Sequence, residues 1–299
     1  HPDAWVTFAS RRKGWAYVQD QLPTTHPIVA DIPDLEAAKL NFDGITYAKG
    51  ASVLKQLVGF VGEDAFFRGA QRYFATHAYG NTTLEDLLAA LEDASGRDLR
   101  SWSAAWLETT GLPTLTVERG PLAVVQDVVR PHAVRVGLWD DEAGRLVARG
   151  DVAVDLFAER TVVDAPVLPD TALVIANVDD RSYAKVRLDA RSLAAVTAGL
   201  SSMPDAVARG VVWAALWNAV RDGELAASRY LAIAADHAPR ESHPALLNDV
   251  LAHAAFAIRH YVSDVEQSSA AWLEGAWHAM ATADAGSDAQ LIWARAVGV

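Results

Sequence analysis

The sequence predicts an α+β chain of three consecutive segments: a helical one, a small β-sandwich, and a second helical one that stacks as a superhelix. Three observations carry this expectation. Apolar residues recur at helical spacing as far as about Pro113, change period between about Thr114 and Asp189, where short runs alternate, and return to the helical period from about Arg191 onward. The boundaries are therefore set at 1–113, 114–190 and 191–299.

In the first segment Asp43 is the expected N-cap of a helix whose apolar positions Leu54, Leu57, Val58 and Val61 follow i, i+3, i+4, i+7 spacing. Gly62 is its expected stop. Asn81-Thr82-Thr83-Leu84-Glu85-Asp86 has the form of a cap followed by an acidic first turn. Leu87, Leu88 and Leu91 continue the apolar face of that helix, and Gly96 breaks it. From Leu99 to Leu107 a further helix carries Trp102 and Trp106 four residues apart on one face. Gly111-Leu112-Pro113 closes the segment.

In the second segment Val134, Val136 and Leu138 fall on one side of a strand, and Asp151–Leu156 alternates in the same way. Asp140-Asp141-Glu142-Ala143-Gly144 between them is expected to be the hairpin loop. Short strands with turn signals at this density predict a sandwich. The third segment holds helix candidates over 193–200, 205–221, 224–237, 244–262, 265–281 and 289–297, joined by short polar breaks. Antiparallel helix pairs stacked into a superhelix have this rhythm, although no strict sequence repeat accompanies it. The helical pattern runs to Gly298-Val299 without a polar-faced capping helix, and the chain starts His1-Pro2-Asp3 without methionine. A piece of a longer protein is the expectation.

A hydrophobic fraction of 51% and a mean hydropathy of +0.08 provide for substantial cores. A net charge of −12 opposes a phosphate-tracking surface, so no nucleic-acid partner is expected. No run of eighteen apolar residues occurs, so no membrane partner is expected either. The absence of cysteine removes disulfides, thiolate metal sites and cysteine nucleophiles. It fits a cytoplasmic protein, the expected location.

No two of the nine histidines stand at the i, i+4 spacing of a helical zinc pair. His253 and His260, seven apart, are separated by about 10 Å of helical rise. Packing or surface roles are expected for the histidines, and His26, beside Pro27, is expected to hold a loop. Asp140-Asp141-Glu142 and Asp179-Asp180 lack the pattern of a calcium loop and are expected to be solvated turns. The pairs Trp102/Trp106, Trp213/Trp217 and Trp272/Trp277 lack the interleaved cations of a base-stacking surface, and the two four-residue pairs suit core packing between helices.

The sharpest chemistry lies in Phe42-Asp43-Gly44-Ile45-Thr46-Tyr47-Ala48-Lys49-Gly50, which sets an acid, a phenol and a lysine at the start of a helix. A phenol is protonated at neutral pH and donates one directed hydrogen bond. Aimed at a carbonyl oxygen under attack, such a donor stabilises the developing oxyanion, and its loss costs about 10²- to 10³-fold in rate. By position alone, a tyrosine near a helix start more often packs its ring.

This run resembles the FDxITYxKG motif of zinc aminopeptidases of the aminopeptidase N family. Similar residues stand at Trp5–Ala9, Trp15–Tyr17, Thr25–Ile28, Asn81–Thr83, Ser101–Leu107 and Asp179–Asp189, and Gln21–Ile32 resembles the actinobacterial branch. The resemblance spans essentially the whole chain. It implies the second half of a thermolysin-like catalytic domain, the β-sandwich, and part of a HEAT-like helical domain. The implied activity is hydrolysis of the N-terminal residue from peptides, in which zinc polarises the scissile carbonyl and activates water while a glutamate serves as base.

By the same resemblance Tyr47 corresponds to the tyrosine that holds the tetrahedral intermediate, the one catalytic residue carried over. No metal ligand is carried over. The sequence contains no His-Glu-x-x-His, so the zinc site, the base and the GxMEN segment are expected before position 1. Zn2+ is thus expected in the full-length parent, a monomer acting on peptides, and none on this piece, which is expected to be inactive alone and to expose an apolar face. The epoxide-opening relatives lack the sandwich. The rival reading is a non-catalytic module of sandwich plus helical repeats that binds a peptide or a protein partner.

Overall fold

The structure, a computed structural model, describes residues 2–165 and 171–298 and has a mixed α/β architecture. Helix α1 (Pro2–Thr7) passes through a π-helical turn (Phe8–Arg12) into α2 (Lys13–Gln19). A loop leads to α3 (Leu35–Leu40), which Asp34 caps by accepting the Ala37 N–H at 2.8 Å. A second π-helical turn (Ile45–Lys49) opens α4 (Gly50–Val61). Gly62, at φ +86°, ends α4 and starts α5 (Glu63–Thr76).

The buried face of α4 differs from the expected one. Val53, Leu57, Phe60 and Val61 point inward together with the polar Ser52 and Gln56, whereas Leu54 is half exposed. Gln56 is drawn inside by hydrogen bonds to Ser182 and Tyr183. Apolar spacing carries no record of that polar partner.

Helix α6 (Leu84–Ser95) starts with a complete capping box between Thr83 and Asp86 and stops at Gly96 in the left-handed conformation, as its sequence implies. Helix α7 (Arg100–Leu107) buries Trp102 and Trp106 against α4.

Among the described residues seven strands follow: β1 (Thr114–Arg119), β2 (Leu122–Gln126), β3 (His132–Glu142), β4 (Arg145–Leu156), β5 (Arg160–Val162), β6 (Thr171–Ile175) and β7 (Lys185–Arg187). They form one sheet of order β5-β2-β1-β7 and another of order β4-β3-β6, with only β1 and β7 parallel among the described pairs. Leu115, Val117 and Val124 of the first sheet share a hydrophobic cluster with Val134, Val136 and Val174 of the second.

Strands β3 and β4 run further than expected, pairing as far as Glu142 with Arg145. Ala143 and Gly144 both have positive φ, the backbone of a two-residue hairpin turn. Asp140-Asp141-Glu142 therefore belongs to β3 and is not a loop. Asp140 is buried and paired with Arg149.

The remaining chain forms α8 (Ala190–Gly199), α9 (Ala206–Arg221), α10 (Ala227–His237), α11 (Pro244–His260), α12 (Val265–Thr282) and α13 (Asp288–Val297). Side chains of Asp189, Asp205, Asp264 and Ser287 cap four of them. The largest core runs from Leu173 and Ile175 of β6 through α8 and α9 to α11 and α13. Trp213 and Trp217 lie in it, but Trp277 is 56% exposed. Five residues from Trp272, it sits roughly 140° away around the helix, off the inward face. Among the described residues no helix is long and apolar enough to cross a membrane.

Candidate active site

The turn that carries Tyr47 is fastened before it begins. Asp43 Oδ1 accepts the backbone N–H groups of Ile45 at 2.9 Å and Thr46 at 3.0 Å, and Gln19 Oε1 accepts that of Gly44 at 2.5 Å. A Cβ on Gly44 would lie 2.6 Å from Gln19 Oε1 and 3.0 Å from the Trp15 ring, so the close approach to α2 requires glycine. Asp43 Oδ2 is in turn 2.9 Å from His26 Nε2, and His26 Nδ1 is 2.7 Å from the Pro27 carbonyl oxygen. His26 thus ties its loop to this turn, as its position beside Pro27 suggested.

Within the turn Ile45, Ala48 and Lys49 are buried while Tyr47 is 53% exposed, its ring 5.6 Å from that of Phe42. The Tyr47 hydroxyl has no hydrogen-bond partner among the described residues. π-Helical turns are frequent at functional sites. Here the turn holds a phenol outward on a backbone anchored from three directions.

Lys49, two residues on, is already occupied. Its Nζ lies 2.9 Å from Asp20 Oδ2 and donates to the carbonyls of Thr109 and Gly111 at 3.2 Å each. Burial lowers its pKa, against the opposing charge of Asp20 and with a smaller push from Arg130. Asp20 also accepts from Thr25 Oγ1 at 2.6 Å, Gly111 N–H at 2.8 Å and the Tyr183 hydroxyl at 3.2 Å. This saturated pair braces the site, so that Lys49 is committed to the scaffold while the Tyr47 hydroxyl is not.

A second network joins α2 and α4 to the turn after β6. Lys13 Nζ donates to Asp180 Oδ1 at 2.5 Å and to the Ser182 carbonyl at 2.9 Å. Gln56 Oε1 accepts from Ser182 Oγ at 2.8 Å and Tyr183 N–H at 3.0 Å, Lys55 Nζ donates to the Asp180 carbonyl at 2.9 Å, and the Tyr17 hydroxyl donates to that of Ala184 at 2.8 Å. Asp179-Asp180, expected as a solvated turn, is instead a docking point whose Asp180 is buried. Its cations come from helices more than a hundred residues earlier.

Lys13, Asp20 and Gln56 were not singled out from the sequence. The available signal was faint: Lys13 stands three and four residues before Ala16 and Tyr17 and shares their buried face.

Histidines elsewhere pack. His132 lies edge-on to Trp106 and bonds Ser182, and its pKa is pushed down to about 3 by burial and then by the charge of Arg130. His253 stacks on Trp217 at 4.3 Å, and burial, then Arg221, pushes its pKa down to about 4. Among the described residues no three His, Cys, Asp or Glu side chains come together as a metal cluster.

Residues 2–106 match the Peptidase family M1 domain, and residues 173–298 match the ERAP1-like C-terminal domain. The chain is 45% identical to aminopeptidase N of Streptomyces lividans over 99% of its own length. It belongs to the aminopeptidase N family. Across the domains of life the likeness narrows to parts of this family chain. It is 37% identical to the mitochondrial aminopeptidase 2 of Saccharomyces cerevisiae over 38% of its length, and 26% identical to tricorn protease-interacting factor F2 of Thermoplasma acidophilum over 77%. The chain spans 37% of the Streptomyces protein, 12% of the yeast protein and 29% of the Thermoplasma protein. In this member of the aminopeptidase N family the peptidase match contains Tyr47 and ends within α7, and the second match begins in β6, with β1–β5 between them.

Proposed function

We propose that this chain is part of a zinc-dependent aminopeptidase that removes N-terminal residues from peptides, and that the Tyr47 hydroxyl donates to the scissile carbonyl oxygen as the tetrahedral intermediate forms. The observation that carries the role is the free, outward hydroxyl on a π-helical turn pinned by Asp43 and Gln19. A donor fixed before charge develops needs no reorganisation when it does. The aminopeptidase names of the Streptomyces and yeast relatives support the reaction class.

The described residues do not fit a zinc ion, because they bring no ligand cluster together. This reading therefore assigns no step of this chain to metal and leaves zinc to the full-length protein. In the same reading 1–113 is catalytic-domain structure of thermolysin type, 114–190 a β-sandwich spacer and 191–299 a HEAT-like superhelix, in a cytoplasmic monomer. The shared interior of the two sheets supports the sandwich.

The test is hydrolysis of alanine- and leucine-anilides by the full-length protein, its Tyr47→Phe variant, and this chain alone. The expected outcome is a fall in kcat of about 10²- to 10³-fold for the variant with KM nearly unchanged, and no turnover by the chain alone. An unchanged kcat would remove the oxyanion role. A full-length protein inert with added zinc would favour the peptide-binding module, to which the exposed Phe42 beside Tyr47 would then belong.

A further inference from the structure

The contacts of His26 specify more than a loop fastening. Its Nε2 faces a carboxylate oxygen of Asp43 at 2.9 Å and its Nδ1 faces the Pro27 carbonyl oxygen at 2.7 Å. A carbonyl and an ionised carboxylate both only accept hydrogen bonds. A neutral imidazole can donate to one of them and must turn a lone pair toward the other. Both contacts are hydrogen bonds together only when both ring nitrogens carry protons.

The other oxygen of Asp43 accepts two backbone N–H groups, from Ile45 and Thr46. These are the first two residues of the turn that holds Tyr47, and the Tyr47 N–H itself bonds the Asp43 carbonyl at 3.1 Å. His26, Asp43 and the π-helical turn therefore form one chain of hydrogen bonds ending at the backbone N–H of Tyr47. Among the described residues Asp20 holds Thr25 of this loop, Lys49 neutralises Asp20, and Lys185 Nζ reaches Gln21 Oε1 at 3.5 Å.

We propose that His26 is a positioning residue whose doubly protonated ring, acting through Asp43, holds the π-helical turn and so sets the direction of the Tyr47 hydroxyl. The proposal rests on the reading of Tyr47 as the oxyanion donor. When the ring gives up a proton with rising pH, one of its two contacts is lost, Asp43 is freed to turn, and the phenol loses its fixed direction. The catalytic consequence is a basic limb in kcat with little change in KM, since the group affected acts in the transition state.

The experiment begins with this chain and does not depend on turnover. Imidazole nitrogen NMR across pH reports the number of protons on His26, and the ring resonances of Tyr47 are followed in the same samples. The expected result is two ring protons at the lower pH, loss of one as pH rises, and a Tyr47 shift with the same midpoint. Fully exposed Tyr79 serves as the control. In His26→Gln and Asp43→Asn the Tyr47 transition disappears while the buried Tyr230 resonances keep their positions, showing that the fold is retained. In the full-length enzyme His26→Gln lowers kcat and removes its basic limb.

One ring proton on His26 throughout, or a Tyr47 response no larger than that of Tyr79, overturns the proposal. Coupled NMR transitions with an unaltered kcat in Tyr47→Phe would uphold the positioning and remove only the oxyanion role. A crippled Tyr47→Phe enzyme with uncoupled transitions would do the reverse.

Discussion

Lys13 Nζ and Asp180 Oδ1 lie 2.5 Å apart across 167 residues of sequence, both buried, where α2 meets the turn after β6. Burial, the largest single influence, lowers the Lys13 pKa, but the charges of Asp180 and Tyr17 and the hydrogen bonds to them together raise it above its ordinary value. Removing one partner of such a pair strands the other charge. Lys13→Ala is expected to cost about 3–5 kcal/mol in urea unfolding, and Lys13→Met combined with Asp180→Leu to recover most of it. Because the folded pKa is raised, the stabilisation is complete below the ordinary lysine value of about 10.4 and is lost only as pH rises beyond it. The Lys13→Ala deficit should therefore be the same at pH 6 and pH 9.

Acid should act through the buried His132 and the half-buried His253. The pKa of His132 is pushed down to about 3 and that of His253 to about 4, burial being the larger cause for each. The unfolded chain takes up these protons near pH 6.5 while the folded chain refuses them. Stability is thus full above about 6.5 and falls with pH toward those lower values, by up to about 1.4 kcal/mol per pH unit for each ring. His253→Phe keeps the stack on Trp217. Its urea midpoint should drop less between pH 7 and pH 5 than that of the parent chain.

Helices α5 and α6 touch through a glycine. A Cβ at Gly69 would stand 2.9 Å from the Ala90 carbonyl oxygen and 3.1 Å from Leu91 Cα, both backbone atoms that cannot turn aside. Gly69→Ala is expected to destabilise by about 1–3 kcal/mol despite its better helix propensity. Gly275 in α12 has open space at the same point, so Gly275→Ala should stabilise by about 0.5–1 kcal/mol. Thermal unfolding of the two variants side by side checks both signs.

The capping box of α6 is solvent-exposed and local. Thr83→Ala removes the acceptor for the Asp86 N–H, at an expected cost of about 1 kcal/mol. Hydrogen exchange should quicken in the first turn of α6 and leave the α9 core unchanged. Faster exchange across both would mean that α6 and that core open as one unit.

Short-range chemistry is what the sequence by itself determined. The Thr83–Asp86 box, the alternation through Val134, Val136 and Leu138, and the motif around Tyr47 each depend on residues within a few positions, and each was legible. Tertiary structure alone decided which polar groups go inside. Asp140 and Asp180 are expected in solvated turns, and the burial of Lys49 and Gln56 leaves no periodic signal, because their partners, Arg149, Lys13, Asp20 and Ser182, come from other elements. Leu54 faces outward for the same reason. Periodicity reports which side of a helix is apolar, whereas burial of a charge or an amide is settled by the countercharge or hydrogen bond that folding brings to it, since without that partner the desolvation cost would keep it in water.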